Sequence, residues 1–128
     1  MTGGSCGTVL VVDDEPAIRL LCRVNLQLDG YAVLEAATLA AAREALAAGG
    51  VDVVLLDLHL GNERSEALIA ECAAAEPRVP VVLVTGSAEV AAARRVGADA
   101  VLPKPFEIEA LAATVSRLVS APAAASTR

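Results

Sequence analysis

Three carboxylates, a hydroxyl and an ammonium stand where short apolar runs end. Asp13 and Asp14 follow Val9-Leu10-Val11-Val12, and Asp57 follows Val53-Val54-Leu55-Leu56. Thr85 follows Val81-Val82-Leu83-Val84, and Lys104 comes just after Ala100-Val101-Leu102. Brought together, three carboxylates repel and raise one another's pKa. A hard divalent cation removes that conflict, and Mg²⁺ takes oxygen ligands while keeping several waters. A lysine and a threonine hydroxyl beside such an ion can hold the oxygens of a phosphoryl group. In that chemistry positioning and charge neutralisation do most of the work. A carboxylate can also be the nucleophile itself and form an aspartyl phosphate.

The elements between these residues must bring them to one place. The central stretch, Val51 to Leu60, lies between Gly49-Gly50 and Gly61-Asn62. Its Val and Leu content predicts a strand buried on both faces, as in a parallel sheet. The other apolar runs predict strands at Val9–Val12, Tyr31–Ala36, Val81–Val84 and Ala100–Leu102. Pro16 suits the first turn of a helix that closes at Asp29-Gly30. In that helix Ala17, Leu20, Leu21, Val24 and Leu28 recur at helical spacing and are read as the core stripe. Ile18 and Cys22, one stripe away, are read either as packing at the core edge or as partly exposed.

Thr38 can cap a second helix, Leu39 to Ala48, with Leu39, Ala42 and Leu46 on one side. A third runs from Glu63 to Ala75, burying Leu68, Ile69 and Cys72. A short fourth covers Ala88 to Val96, ended by Gly97. The last runs from Glu107 to Val119, with Ile108, Leu111, Ala112, Val115 and Leu118 on one face. Strand–helix alternation implies an α/β fold, a five-stranded parallel sheet with helices on both faces. Right-handed crossovers and the order 2-1-3-4-5 are expected. All the strand ends named above then share one edge, where ligands of open α/β sheets bind.

Composition bounds the reading. At 128 residues the chain is one domain with room for a real core. It is 55% hydrophobic but only 2% aromatic, so the core is built of Val, Leu, Ile and Ala. The net charge of −6 and the absence of a basic stripe argue against direct nucleic-acid binding. The three cysteines, Cys6, Cys22 and Cys72, are widely spaced, which argues against zinc and fits a reduced, cytoplasmic setting. No signal peptide or membrane span is recognised, so no membrane partner is expected. Residues 1–7 are expected to be loose, 8–120 to form the domain, and the Ala/Pro/Ser-rich 121–128 to be a disordered tail or linker stub.

The motifs Val-Asp-Asp-Glu-Pro, Leu-Leu-Asp-Leu, Val-Thr-Gly, Gly-Ala-Asp and Lys-Pro-Phe, in this order, resemble the receiver domain of bacterial two-component response regulators. The resemblance covers about residues 8–120. It implies that Asp57 is the phospho-acceptor. Asp14 resembles the direct metal ligand and Asp13 its partner acting largely through water. The backbone carbonyl of His59 would complete the protein's share of a Mg²⁺ (or Mn²⁺) site. Thr85 resembles the switch hydroxyl, and Lys104 the lysine that pairs with the phosphoryl group. The Lys104–Pro105 bond is often cis in this family. The implied donor is a sensor histidine kinase or a histidine phosphotransfer protein, and the implied target is a downstream protein. A homodimer is compatible with the family. The domain would promote its own phosphorylation and dephosphorylation without a separate substrate.

Some positions depart from the family pattern. His59-Leu60-Gly61-Asn62 replaces a segment that usually carries a proline after Met-Met. Val101 stands where the family usually has a rotating aromatic ring. Nineteen steps separate Thr85 from Lys104, a little short for the family. These departures bear on the output face, formed in the family by helix four, strand five and helix five. Two rivals follow. One is a degenerate receiver that binds partners without phosphorylation. The other is a small aspartate-nucleophile phosphohydrolase of haloacid-dehalogenase type. That class needs a second acid two residues after the nucleophile, where this chain has His59.

Overall fold

The computed structural model describes residues 7–126, and of Ser87 and residues 120–126 the backbone alone. Five parallel strands form the central sheet: β1 (Thr8–Val12), β2 (Ala32–Ala36), β3 (Val53–Asp57), β6 (Val81–Gly86) and β7 (Ala100–Lys104). Two short strands, β4 (His59–Leu60) and β5 (Glu63–Arg64), pair antiparallel with each other outside it. The sheet order is β2-β1-β3-β6-β7. With the hairpin set aside, this is the 2-1-3-4-5 order expected from the alternation.

Side-chain alternation along the strands builds two cores. Leu10, Val12, Val54, Leu56 and Leu83 face one way. They pack with α2 (Leu39–Ala47), α3 (Glu66–Ala74) and α4 (Val90–Arg95). Val9, Val11, Val53, Leu55 and Val82 face the other way, against α1 (Pro16–Leu28) and α5 (Ile108–Ser126). Every residue of β3 is buried, as a central strand covered on both faces must be. Among the described residues no helix is long and apolar enough to cross a membrane.

Local chemistry accounts for several ends. Thr38 accepts from the Ala41 amide at 3.1 Å and caps α2. Gly30 takes φ +99° just past α1, a conformation that glycine adopts without Cβ strain. α3 buries Leu68, Ile69 and Cys72. It starts later than expected, because Glu63 and Arg64 pair with Leu60 and His59 around the two-residue Gly61-Asn62 turn. Gly61 has φ +60° there. A 3-10 turn, Ser87–Glu89, leads into the short α4. α5 continues to Ser126, beyond the expected end near Val119. Alanine-rich sequence favours that continuation. Residues 127–128, and all but Gly7 of the N-terminal segment expected to be loose, lie outside the described residues.

Helix α1 turns a different face inward from the one its periodicity suggested. Cys22 and Leu26 are buried, and Ile18 packs at the edge of the same core. Leu20, Leu21, Val24 and Leu28 are exposed, Leu28 to 79%. Ile18-Cys22-Leu26 and Leu20-Val24-Leu28 have the same i, i+4, i+8 spacing, so a period alone cannot choose between them. The sheet accepts only one stripe. Arg19 and Arg23 flank the buried stripe and both reach Glu35 of β2, at 3.2 and 2.9 Å.

Cys22 and Cys72 are free thiols in the two cores. Burial pushes both up to about 11. Only the thiolate is nucleophilic. In a Cys6→Ser chain at pH 8, a disulfide-exchange reagent is therefore expected to react no faster than the chain opens. Both thiols should react at once in denaturant. Rapid labelling of the folded chain would contradict the packing of α1 and α3.

Candidate functional site

The carboxyl edge of the sheet gathers the acidic residues. β1 ends at Val12 opposite Leu56 of β3, so Asp13 and Asp57 emerge side by side. Thr85 lies opposite Pro103, and Gly86 opposite Lys104, so β7 delivers its lysine to the same edge. One ligand oxygen from each of Asp13, Asp14 and Asp57 lies within 4.8 Å of the others. Asp13 and Asp57 are buried, whereas Asp14 is exposed. Lys104 reaches Asp57 at 3.2 Å and Asp13 at 3.6 Å.

Backbone amides fix the carboxylates in place. The Glu15 amide donates to Asp13 Oδ1 at 2.9 Å, the His59 amide to Asp57 Oδ1 at 3.2 Å, and the Gly61 amide to Asp14 Oδ2 at 2.9 Å. The hairpin thus touches both Asp57 and Asp14. Arg19 donates to the Asp13 carbonyl at 2.7 Å from behind.

The clustered carboxylates act on one another. Burial raises the Asp13 carboxyl above its ordinary range. The Glu15 amide and Lys104 pull it back, and Asp57 and Asp14 push it further up. Burial disfavours the Lys104 ammonium, but Asp13 and Asp57 outweigh that effect and raise its pKa. Lys104 pairs with two of the three carboxylates. All the donors are hard oxygens, as Mg²⁺ requires. The donor set fits such an ion, with Asp13, Asp14 and Asp57 able to hold it.

The side chains of Thr85 and His59 meet at Glu89. The Thr85 side chain is buried, and its hydroxyl donates to Glu89 Oε1 at 3.2 Å. The His59 side chain is exposed and pairs through Nε2 with the same Glu89 oxygen at 2.9 Å. Lys104–Pro105 is cis. Val101 is half-buried against the α2–α4 side of the core.

Two residues near the site were missed from sequence. Ser65 stands just before α3, where a serine reads as a helix cap. It makes no side-chain cap bond. Its buried hydroxyl instead lies 2.7 Å from the Asp57 carbonyl and 3.1 Å from that of Leu58, bracing the chain behind Asp57. Glu89 had no motif to mark it.

A hollow of about 380 Å³ at the other end of the molecule is lined by Arg43, Glu71, Cys72 and Pro77. Arg43 and Glu71 are already paired there at 2.8 Å. Volume does not mark the chemistry in this molecule; the carboxylates do.

The response regulator receiver domain family model matches residues 9–116. The chain belongs to that family. Sensor kinase CckA of Brucella abortus is 38% identical over 117 residues, covering 88% of this chain and 12% of the relative. DNA-binding transcriptional regulator NtrC of Escherichia coli is 33% identical, covering 89% and 25%. The chain therefore spans a quarter or less of these relatives. The crystal structure of the receiver domain of NtrX from Brucella abortus shares 30% identity with a TM-score of 0.80. It covers 88% of this chain and 98% of that one. A CheY-like receiver from Methanospirillum hungatei, 24% identical, has the same fold at a TM-score of 0.79, covering 89% and 94%. This receiver has the five-stranded parallel architecture of its relatives, and receivers are signalling domains.

Proposed function

We propose that this receiver accepts a phosphoryl group on Asp57 from a phosphohistidine of a sensor histidine kinase or histidine phosphotransfer protein. The observation that carries the reading is Asp57 itself. Its carboxylate ends the central buried strand, held by the His59 amide and Lys104 beside two further carboxylates. An Asp57 oxygen attacks phosphorus, the P–N bond of the donor breaks, and the electron pair leaves on the imidazole nitrogen. Lys104 neutralises charge on the transferring oxygens. Thr85 supplies a hydroxyl to one of them. Asp13, Asp14, Asp57 and the His59 carbonyl would hold Mg²⁺ or Mn²⁺, which supplies charge neutralisation to phosphoryl oxygens when bound. The same groups would promote hydrolysis of the acyl phosphate, so the domain turns over no separate substrate.

The donor's landing surface is read at the α1 end of the site. Ile18, Leu21, Lys104, Pro105 and Phe106 line a hollow of about 330 Å³ there. Leu20, Val24 and Leu28 are exposed on the same helix. An apolar stripe of this kind marks a protein-interaction surface. One relative is a sensor kinase and another a DNA-binding transcriptional regulator. The downstream partner here is a protein, since the chain has no basic stripe. Its output face is atypical, with Val101 in place of an aromatic ring and α4 reduced to six residues. The setting is cytoplasmic.

The test is intact-mass measurement after incubation with acetyl phosphate. One added phosphoryl group is expected with Mg²⁺ and none with EDTA. No adduct in Mg²⁺, together with no binding of beryllofluoride, would move the chain to the phosphorylation-independent class.

A further inference from the structure

Glu89 stands at the meeting point of the two segments that border the site. It ends the 3-10 turn that follows β6, and one of its oxygens serves two partners. Oε1 lies 2.9 Å from His59 Nε2 of the hairpin and accepts from the Thr85 hydroxyl at 3.2 Å. The bond to His59 is the main influence holding the Glu89 carboxyl below its ordinary range. Arg64, also on the hairpin, adds a favourable charge. Asp57 meanwhile takes its bonds from the His59 amide and Lys104.

A threonine hydroxyl carries one proton and can donate one hydrogen bond. Donation to Glu89 and donation to a phosphoryl oxygen on Asp57 therefore exclude each other. A contact made in only one of two states biases the equilibrium by its own free energy.

We propose that Glu89 is a positioning residue that holds the Thr85 hydroxyl in the unphosphorylated state, anchored in turn by His59. Occupation of Asp57 must break this bond, and the His59–Glu89 pair ties the hairpin after β3 to the turn after β6 while it persists. The compact 3-10 turn is what brings Glu89 back over Thr85, four residues earlier. The proposal rests on the phospho-acceptor reading and concerns how the receiver resists switching.

The experiment is a calorimetric titration of the full chain with beryllofluoride, a phosphoryl mimic, in saturating Mg²⁺. Wild type, Glu89→Ala, Thr85→Ala and the double variant are compared. Loss of one competing hydrogen bond of ordinary net strength corresponds to roughly fivefold in affinity. Glu89→Ala is expected to bind about fivefold more tightly than wild type. In the Thr85→Ala background the same change is expected to give no gain, because no hydroxyl is left to release. An equal gain in both backgrounds would mean plain charge repulsion and would overturn the proposal. So would unchanged or weaker binding by Glu89→Ala. Failure of wild type to bind beryllofluoride at all would instead overturn the phospho-acceptor reading, and the proposal with it.

Discussion

Asp57→Asn is expected to gain no phosphoryl mass from acetyl phosphate and Mg²⁺ under conditions in which the wild-type chain gains one. The amide has nearly the shape of the carboxylate but neither its charge nor its nucleophilic oxygen. Asp57 is 8% exposed, so little room or water is available for a substitute nucleophile to enter. Asp13 and Asp14 stand in the same carboxylate cluster but are not the residue on which β3 and the Lys104 bond converge. The substitution should leave the fold intact, because it removes one charge from a crowded cluster and fills the same space. Circular dichroism is the control. Phosphorylation of the Asn variant to the wild-type extent would move the acceptor to another residue and break the assignment of the site.

Leu26→Ala is expected to destabilise the fold by about 2–5 kcal/mol, the usual range for a buried leucine truncated to alanine. Leu28→Ala, two residues on in the same helix, should change stability by no more than about 0.5 kcal/mol, as surface substitutions do. Leu26 is 1% exposed and packs against β1 and β3 with Cys22, whereas Leu28 is 79% exposed. Urea unfolding of the two variants separates them. The periodicity of α1 predicts the opposite order, because Leu28 belongs to its most apolar stripe. Equal losses would mean that α1 sits rotated from the orientation described.

The contrast shows what kind of information each level holds. Apolar runs, turn residues and strand–helix alternation are local, and they were enough for the element order and the parallel sheet. Strand polarity then carried the residues at the strand ends to one edge. Asp13, Asp14, Asp57 and Lys104 could therefore be named from sequence before any distance was known.

Other features depend on which partner a side chain meets across the fold. Two stripes of equal spacing on α1 competed for one sheet face, and packing against β1 and β3 chose between them. Ser65 falls inside the third helix expected from Glu63, but it stands before α3 and turns inward, its hydroxyl reaching the carbonyls of Asp57 and Leu58. His59-Leu60 reads as the tail of a strand but folds into a hairpin, because Gly61 allows the positive φ of the turn. Glu89 carries no motif and gains its place only from the 3-10 turn that returns it to Thr85 and His59. The sequence by itself determined the order of the sheet strands and main helices and which residues reach the sheet edge, since both follow from local pattern. Only the tertiary structure decided which helix face is buried and which groups hold the site residues, since those are choices among distant partners.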